Sequence, residues 1–383
     1  MSIYLDYNAT TPINDAVLSK MIDVYRHHYG NADSRTHDYG DDCRKIVEEA
    51  RAQLADLLAI DKTEIFFTSG STESSNIALQ GLREYANKTG KKHIVTTSIE
   101  HKAVLETVKA LEKEGFDVDY VSPEPSGRVS AEAVLACLRE DTLVVSVMHV
   151  NNETGIIQPV AEIGNALYEK DVLFHVDATQ SCGKLVDELR DLQYDMMSIS
   201  AHKMEGPQGV GALILRRKKY RLPPVKPIMY GGPQEHGISP GTTPVALVAG
   251  FGKACEMATQ TYKTEMQRCK SLKEVLLKQL NTSDLEIHIN GDQNYAVSTC
   301  LNVSIKGVSS EALMLSSKQY CGISNGSACN SNSYSPSYVL SAMGLSEDDL
   351  RSSIRISWGP NVDLKEFEMS INELLAVAKS MVV

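Results

Sequence analysis

The stretch "SNGSACNSNSYSPSYVL", residues 324–340, sets Cys329 in a run of serine, asparagine and glycine. A free cysteine usually packs as a small hydrophobe. This composition buries almost no apolar surface, so it predicts a mobile, solvated loop that carries an exposed thiol. Exposure is a liability for a thiol unless its reactivity is used.

Three further groups stand where short apolar runs end. "EIFF" leads into Thr68-Ser69-Gly70-Ser71-Thr72-Glu73 and then into the helical "SSNIALQGLREYA". Free backbone N–H groups and the positive end of a helix would meet there as an anion site, although a plain N-cap explains the same residues. "VLFHV" is followed by Asp177 and, three residues on, Gln180. A buried strand end is a costly place for a carboxylate without a cationic partner. "DMMSIS" is followed by His202 and Lys203 and then by "MEGPQGVG", whose glycines let other groups approach the backbone. Lys203 is either a snorkelling surface residue or a desolvated amine of lowered pKa suited to Schiff-base chemistry. Together the three supply a carbonyl-trapping lysine, a carboxylate for a pyridinium nitrogen and a phosphate cradle. Those are the parts of a pyridoxal phosphate site.

The elements that must position these groups alternate along the chain. "DDCRKIVEEARAQLADLLAI" (41–60) has helical spacing of its apolar residues. "EIFFTSG" (64–70), "HIVTTS" (93–98), "FDVDYVS" (116–122), "TLVVSVMHV" (142–150), "VLFHVDA" (172–178), "YDMMSIS" (194–200) and "GVGALILRR" (209–217) are apolar runs of strand length. Helical stretches lie between most of them, which predicts an α/β fold on a mostly parallel, buried sheet. In such a sheet the ligand gathers at the C-terminal ends of the strands, where the three groups stand. A proline and glycine cluster, "PIMYGGPQEHGISPGTTP" (227–244), interrupts the pattern, and a long helix to about residue 280 follows. Isolated strands, "STCLNVSI" and "SIRISW", then suggest a smaller α+β domain.

With 383 residues, 42% hydrophobic and 23% charged, the chain has room for a large core and two domains. A net charge of −11 opposes direct binding to nucleic acid or to an anionic membrane, because phosphate-rich partners need a basic face. The start, "MSIYLDYNATTP", has no signal-peptide character, and no segment approaches a spanning helix, so a cytoplasmic protein is expected. The eight cysteines form no CxxC pair and are too sparse for a disulfide framework. Reduced thiols are expected.

The ordered motifs "YLDYNATTP", "YGNADSRTH", "FTSGSTESSN", "EH" at 100, "HVNNETG", "HVDATQS", "SAHKMEGPQGVG", "GSAC" and "IRISWG" span more than 300 residues. In that set the chain resembles the class V aminotransferase-like, fold-type I pyridoxal phosphate enzymes, and among them the cysteine desulfurases of the IscS/NifS kind. The resemblance implies a large pyridoxal phosphate-binding domain, 14–258, and a small domain, 1–13 with 259–383, that carries the cysteine loop. It implies that Lys203 holds the cofactor as an internal aldimine, that Asp177 pairs with the pyridine nitrogen and that Gln180 bonds the ring hydroxyl. Ser71, Thr72, Ser200 and His202 would hold the phosphate. Asn152 would lie near the ring hydroxyl and the substrate carboxylate, which Arg355 would grip as a bidentate fork. His101 would stack on the ring and help to move protons, while His149 and His175, inside apolar runs, read as structural. Cys329 would attack the sulfur of bound L-cysteine, leaving a persulfide on the enzyme and releasing alanine. A loop of this length would let it swing outward to a sulfur-acceptor protein. Cys321, eight residues upstream, reads as core.

Three departures from the family pattern stand out. The family commonly has "GGGQExGxRxGT" where this chain has "GGPQEHGISPGT", so Pro233 replaces a glycine and Ser239 an arginine. In the family the threonine matching Thr242 reaches the phosphate of the neighbouring subunit of a homodimer. "NADS" stands for "NPAS" around Asp33, and the chain stops at "INELLAVAKSMVV" without the tail by which housekeeping members engage an iron–sulfur scaffold. The expectation is a homodimeric L-cysteine desulfurase acting as a dedicated supplier, with nucleic-acid modification such as DNA phosphorothioation or tRNA thiolation as its destination. General iron–sulfur assembly, selenocysteine cleavage and other class V reactions are the alternatives.

Overall fold

The computed structural model describes residues 2–325 and 336–382. Cys329 therefore lies outside the described residues. The strands are β1 (Ile3–Tyr4), β2 (Ile65–Thr68), β3 (His93–Thr97), β4 (Asp117–Val121), β5 (Thr142–Met148), β6 (Leu173–Asp177), β7 (Met196–Ser200), β8 (Gly211–Leu215), β9 (Ile287–Ile289), β10 (Cys300–Ile305), β11 (Cys321–Gly322) and β12 (Ser353–Ser357). The seven from β2 to β8 form one sheet in the order β2-β8-β7-β6-β5-β3-β4. Its neighbours pair in parallel from β7 to β4, and β8 runs antiparallel to both β7 and β2. The expected mostly parallel sheet is present, and each apolar run of the sequence holds one strand.

Because successive side chains of a strand point to opposite faces, this sheet feeds two cores. Phe66, Ile94, Val144, Met196 and Leu213 pack on one face. Phe67, Val95, Val145, Met197 and Ile199 pack on the other. Each such side chain, once buried, contributes about 1.5–3 kcal/mol. Burial on both faces explains why these strands read as continuous apolar runs rather than alternating ones.

A separate core forms between the small sheet, β12-β10-β9, and the last helix, Leu364–Met381. Leu5 and Tyr7 belong to it. The helix Val245–Thr282, 38 residues and roughly 57 Å long, spans both regions. Its first half, from Val245 to Tyr262, packs in the large core, and Cys269, Leu272, Leu276 and Leu280 pack in the small one. Among the described residues no helix is long and apolar enough to cross a membrane.

Charge is spread unevenly over the surface. Arg216, Arg217, Lys218, Lys219 and Arg221 follow β8 directly, around a Tyr220 that is 96% exposed. All but Arg217 border a surface cleft with Lys91 and Lys170, which Glu169, Asp171 and Asp195 also line. Net charge is a sum over the whole chain, so it hid this local basic cluster. Since β8 runs against its neighbours, the cluster lies at the end of the sheet away from the site described next.

Candidate active site

The C-terminal ends of five strands meet around a cavity of about 340 Å³. β2 ends at Thr68 and turns through Gly70 into the helix Ser71–Gln80. Gly70 has φ +152°, a backbone conformation that L side chains rarely adopt. A Cβ on Gly211, at the start of β8, would stand 2.7 Å from the Cα of Gly70, so the second glycine lets the turn sit close on the sheet. No side chain caps this helix, and Ser71 and Thr72 line the cavity. Its first N–H groups and its positive end thus face a site that suits an anion. Ser200, at the end of β7, brings its Oγ to 3.6 Å from where a Gly70 Cβ would be.

Glu73, in the first turn of the same helix, is held by Ser69 N–H at 2.6 Å and by Ser239 Oγ–H at 2.8 Å. The serine that stands where the family has arginine therefore pins the 231–242 loop to the anion-binding turn. That loop is also fixed by Glu235, whose carboxylate accepts two bonds from Arg51, at 2.8 and 2.9 Å, and one from Phe67 N–H at 2.9 Å. Glu235 and His236 both hold positive φ, 47° and 55°, a strain of about 1–3 kcal/mol each that this anchoring offsets.

Lys203 follows β7 and points its Nζ into the cavity, donating to Asn8 O at 2.6 Å and Ala9 O at 2.7 Å. Burial pushes its pKa down to about 8, with help from the positive charges of Lys184 and Arg355. Asp177 ends β6, with Oδ1 accepting from Thr179 N–H at 3.0 Å and from the Thr179 hydroxyl. Gln180 donates from Nε2 to Asn8 O at 2.9 Å, while its Oε1 is buried without a partner. His202 shares its Nδ1 with Thr10 Oγ1 at 3.1 Å, and burial drives its pKa down to about 4. The ring is therefore neutral.

His101 caps the helix Lys102–Lys113, its Nδ1 accepting from Ala103 N–H at 3.1 Å. The bond assigns the proton of the neutral ring to Nε2, and burial holds this histidine below its ordinary pKa. Asn152 and Arg355 complete the lining. Arg355 NH1 donates to Asn152 O at 2.8 Å and NH2 to Asp6 Oδ1 at 2.6 Å; Arg355 Nε and Asn152 Oδ1 have no partner. The guanidinium is thus already engaged on two nitrogens. Of its five N–H donors, Nε–H and one on each terminal nitrogen stay available to a substrate carboxylate.

Nine of the expected site residues share this cavity: Ser71, Thr72, His101, Asn152, Asp177, Gln180, His202, Lys203 and Arg355. Ser200, buried at the end of β7, is not part of the lining. Thr242 is exposed and outside the lining. His175, fully buried between Ser146 and Ser198, and His149, beside Glu188, have the structural settings expected of them. Cys321 is 1% exposed. Asp6, Asn8, Ala9 and Thr179 were not foreseen. Asp6 and Asn8 stand in a turn just after β1, closed by Ala9 N–H to Asp6 O at 2.9 Å, and although the motif "YLDYNATTP" contains them, only the long-range contacts show what they do.

Residues 3–369 match the family described as Aminotransferase class-V. The chain belongs to that family. This class-V enzyme is 42% identical over 374 residues to the cysteine desulfurase IscS of Escherichia coli O139:H28, covering 97% of this chain and 91% of that protein. A NifS-like protein of known structure matches it with a TM-score of 0.91 at 35% identity, over 99% of this chain and 100% of that one. DndA from Streptomyces lividans matches with a TM-score of 0.81 at 42% identity, over 93% and 99%. SspA, solved in complex with cysteine, matches with 0.81 at 36% identity, over 94% and 99%.

Class-V enzymes of this kind use pyridoxal phosphate, and the residues of the cavity fit it. The uncapped turn at Gly70 suits its phosphate, Gln180 Oε1 and Asn152 Oδ1 are buried acceptors without partners on two residues that line the cavity and could serve its ring hydroxyl, and Asp177 can hold a ring N–H. When bound, this cofactor supplies a carbonyl for an amine and an electron-withdrawing ring.

Proposed function

We propose that this class-V enzyme is a cysteine desulfurase that converts L-cysteine to L-alanine and an enzyme-bound persulfide. The observation that carries the reading is the desolvated Lys203 amine in a cavity that Asp177 and Arg355 also line. Lys203 is the residue that links to the cofactor, Asp177 keeps the ring nitrogen protonated, and Ser71, Thr72, Ser200 and His202 hold the phosphate. Arg355 and Asn152 orient the carboxylate of the substrate, and His101 moves a proton through Nε2. Cys329, as thiolate, then attacks the substrate sulfur. An S–S bond forms as the substrate C–S bond breaks, and the electron pair left on carbon takes a proton to give alanine. Purified protein given one equivalent of labelled cysteine should yield alanine and labelled Cys329 in equal amounts. Release of sulfide without labelled protein, or of pyruvate in place of alanine, would refute the reading.

The persulfide passes to an acceptor protein. The finer proposal is a dedicated supplier serving nucleic-acid modification, such as DNA phosphorothioation or tRNA thiolation, rather than a general iron–sulfur assembly enzyme. It is supported by the departures at Pro233 and Ser239, which change the surface beside the site. A cytoplasmic homodimer, with Thr242 of each subunit serving the other, and the division into units of 14–258 and 1–13 with 259–383 belong to the same reading.

A further inference from the structure

Both ends of the segment that carries Cys329 are fastened to backbone or side chains next to the site. On the N-terminal side, Ser324 exchanges two backbone hydrogen bonds with Arg355, 3.2 and 2.5 Å. On the C-terminal side, Ser337 Oγ donates to Glu153 Oε2 at 2.5 Å, and Tyr338 OH donates to Glu100 O at 2.6 Å. Glu153 follows Asn152 and Glu100 precedes His101, so the second fastening joins the neighbours of two residues of the cavity.

Glu153 is an expensive residue to keep there. It is 2% exposed, and a buried carboxylate without full compensation costs stability. Its backbone is locked from both sides: its N–H donates to Asn151 Oδ1 at 2.9 Å, and its carbonyl accepts from Asn302 Nδ2 at 3.1 Å. The carboxylate is thereby aimed at Ser337, whose Oγ also accepts from Leu340 N–H at 3.1 Å and so starts the helix Tyr338–Ala342. That helix rests on Ile99 through Val339 and Leu340. One short bond therefore sets where the chain leaves the cysteine-bearing segment and enters a packed helix.

We propose that Glu153 is a positioning residue for sulfur abstraction: through Ser337 it fixes the C-terminal anchor of the segment that carries Cys329, and loss of that anchor slows the step that uses this thiol. The proposal rests on the cysteine desulfurase reading. Removing either partner of a buried hydrogen bond leaves the other unsatisfied, so its loss should slow the step that needs Cys329 while leaving cysteine binding at the cofactor intact.

The test separates the two steps on the holoenzyme. Binding of cysteine is followed by the visible absorbance change, and persulfide on Cys329 by mass spectrometry in a single turnover. Glu153→Ala and Ser337→Ala should each slow persulfide formation about tenfold or more and change the absorbance step by less than about twofold. Glu153→Gln, which keeps an acceptor oxygen, should recover to within about threefold of the parent. Because Glu153 acts through Ser337, the double variant should be no slower than either single one. Parallel loss of both steps, additive effects, failure of Gln to rescue, or an unchanged persulfide rate would each overturn the proposal. If Glu153→Ala does not fold, Ser337→Ala and Glu153→Gln decide it on the same measurements. If the parent protein makes no persulfide, the desulfurase reading fails instead. The anchor is then judged by amide exchange over residues 337–343, which should quicken in Ser337→Ala with the rest of the chain unchanged; unaltered exchange there would overturn it.

Discussion

Lys203 shows how one residue type acquires its chemistry from its surroundings. An ammonium that donates to two carbonyls in a nearly closed cavity, with Lys184 and Arg355 adding positive charge, is costly to keep charged, and its pKa falls to about 8. At pH 7 about a tenth of the amine is then neutral, against well under a thousandth at an ordinary lysine value. In the cofactor-free protein a small acylating reagent should therefore label Lys203 with a midpoint near pH 8, and a midpoint above 10 by mass spectrometry would contradict this setting. Lys203→Ala should lose the visible absorbance of the lysine-linked cofactor and all turnover, yet keep the fold, since the side chain packs against a cavity rather than a core. A coloured, active variant would remove Lys203 from its role. The sequence carried this residue and its partners at strand ends. It did not carry Asn8 or Asp6, because hydrogen bonds across more than 170 residues leave no local signature.

At the scale of elements, every strand of the large sheet was legible: burial on both faces forces a continuous apolar run in the inner strands, and the partly exposed edge strand β4 alternates Asp117 and Asp119 with Val118 and Tyr120. Pairing was not legible. That β8 is antiparallel and sits between β2 and β7 follows from the packing of Gly211 against Gly70, which no run of residues announces. The same gap hides Glu100. Between β3 and the helix Lys102–Lys113 it reads as a turn carboxylate, yet it is fully buried, takes Thr97 Oγ–H and Met148 N–H on Oε1, and leaves Oε2 without a partner. Burial raises its pKa to about 8, from a model-compound value of 4.5. The folded state then holds a proton that the unfolded chain releases between those values, so this group makes stability fall as pH rises across that window. Glu100→Gln should flatten the profile by a few kcal/mol over the range. Denaturant unfolding at pH 5 and pH 8 checks it; an unchanged difference between the two would show that Glu100 is not protonated in the native protein. Arg51→Met tests another element. It leaves Glu235 as an uncompensated buried charge and should cost about 3–5 kcal/mol, visible as a lowered unfolding midpoint.

For the whole molecule, the site described in one chain has its phosphate turn, its lysine and its carboxylate anchor, while Thr242 is exposed away from them. If Thr242 completes the site of a second subunit, homodimers of Thr242→Asp should lose cofactor readily, because a carboxylate would face the phosphate. Mixed dimers with Lys203→Ala should recover activity, since the subunit with an intact Lys203 then receives an intact threonine from the other chain. No recovery on mixing would place Thr242 outside the site. The basic cluster Arg216–Arg221 lies at the opposite end of the sheet, so charge-neutral substitutions there should leave the half-reaction with cysteine unchanged.

The central claim is that Lys203 and Cys329 act in sequence, one on the cofactor and one on sulfur. Its most direct test is Cys329→Ser, mixed with one equivalent of sulfur-labelled cysteine and quenched over a single turnover. The account predicts the full cysteine-induced absorbance change with neither alanine nor labelled protein. Alanine formed at the parent rate, or label on Cys321 or any other thiol of the variant, would contradict it.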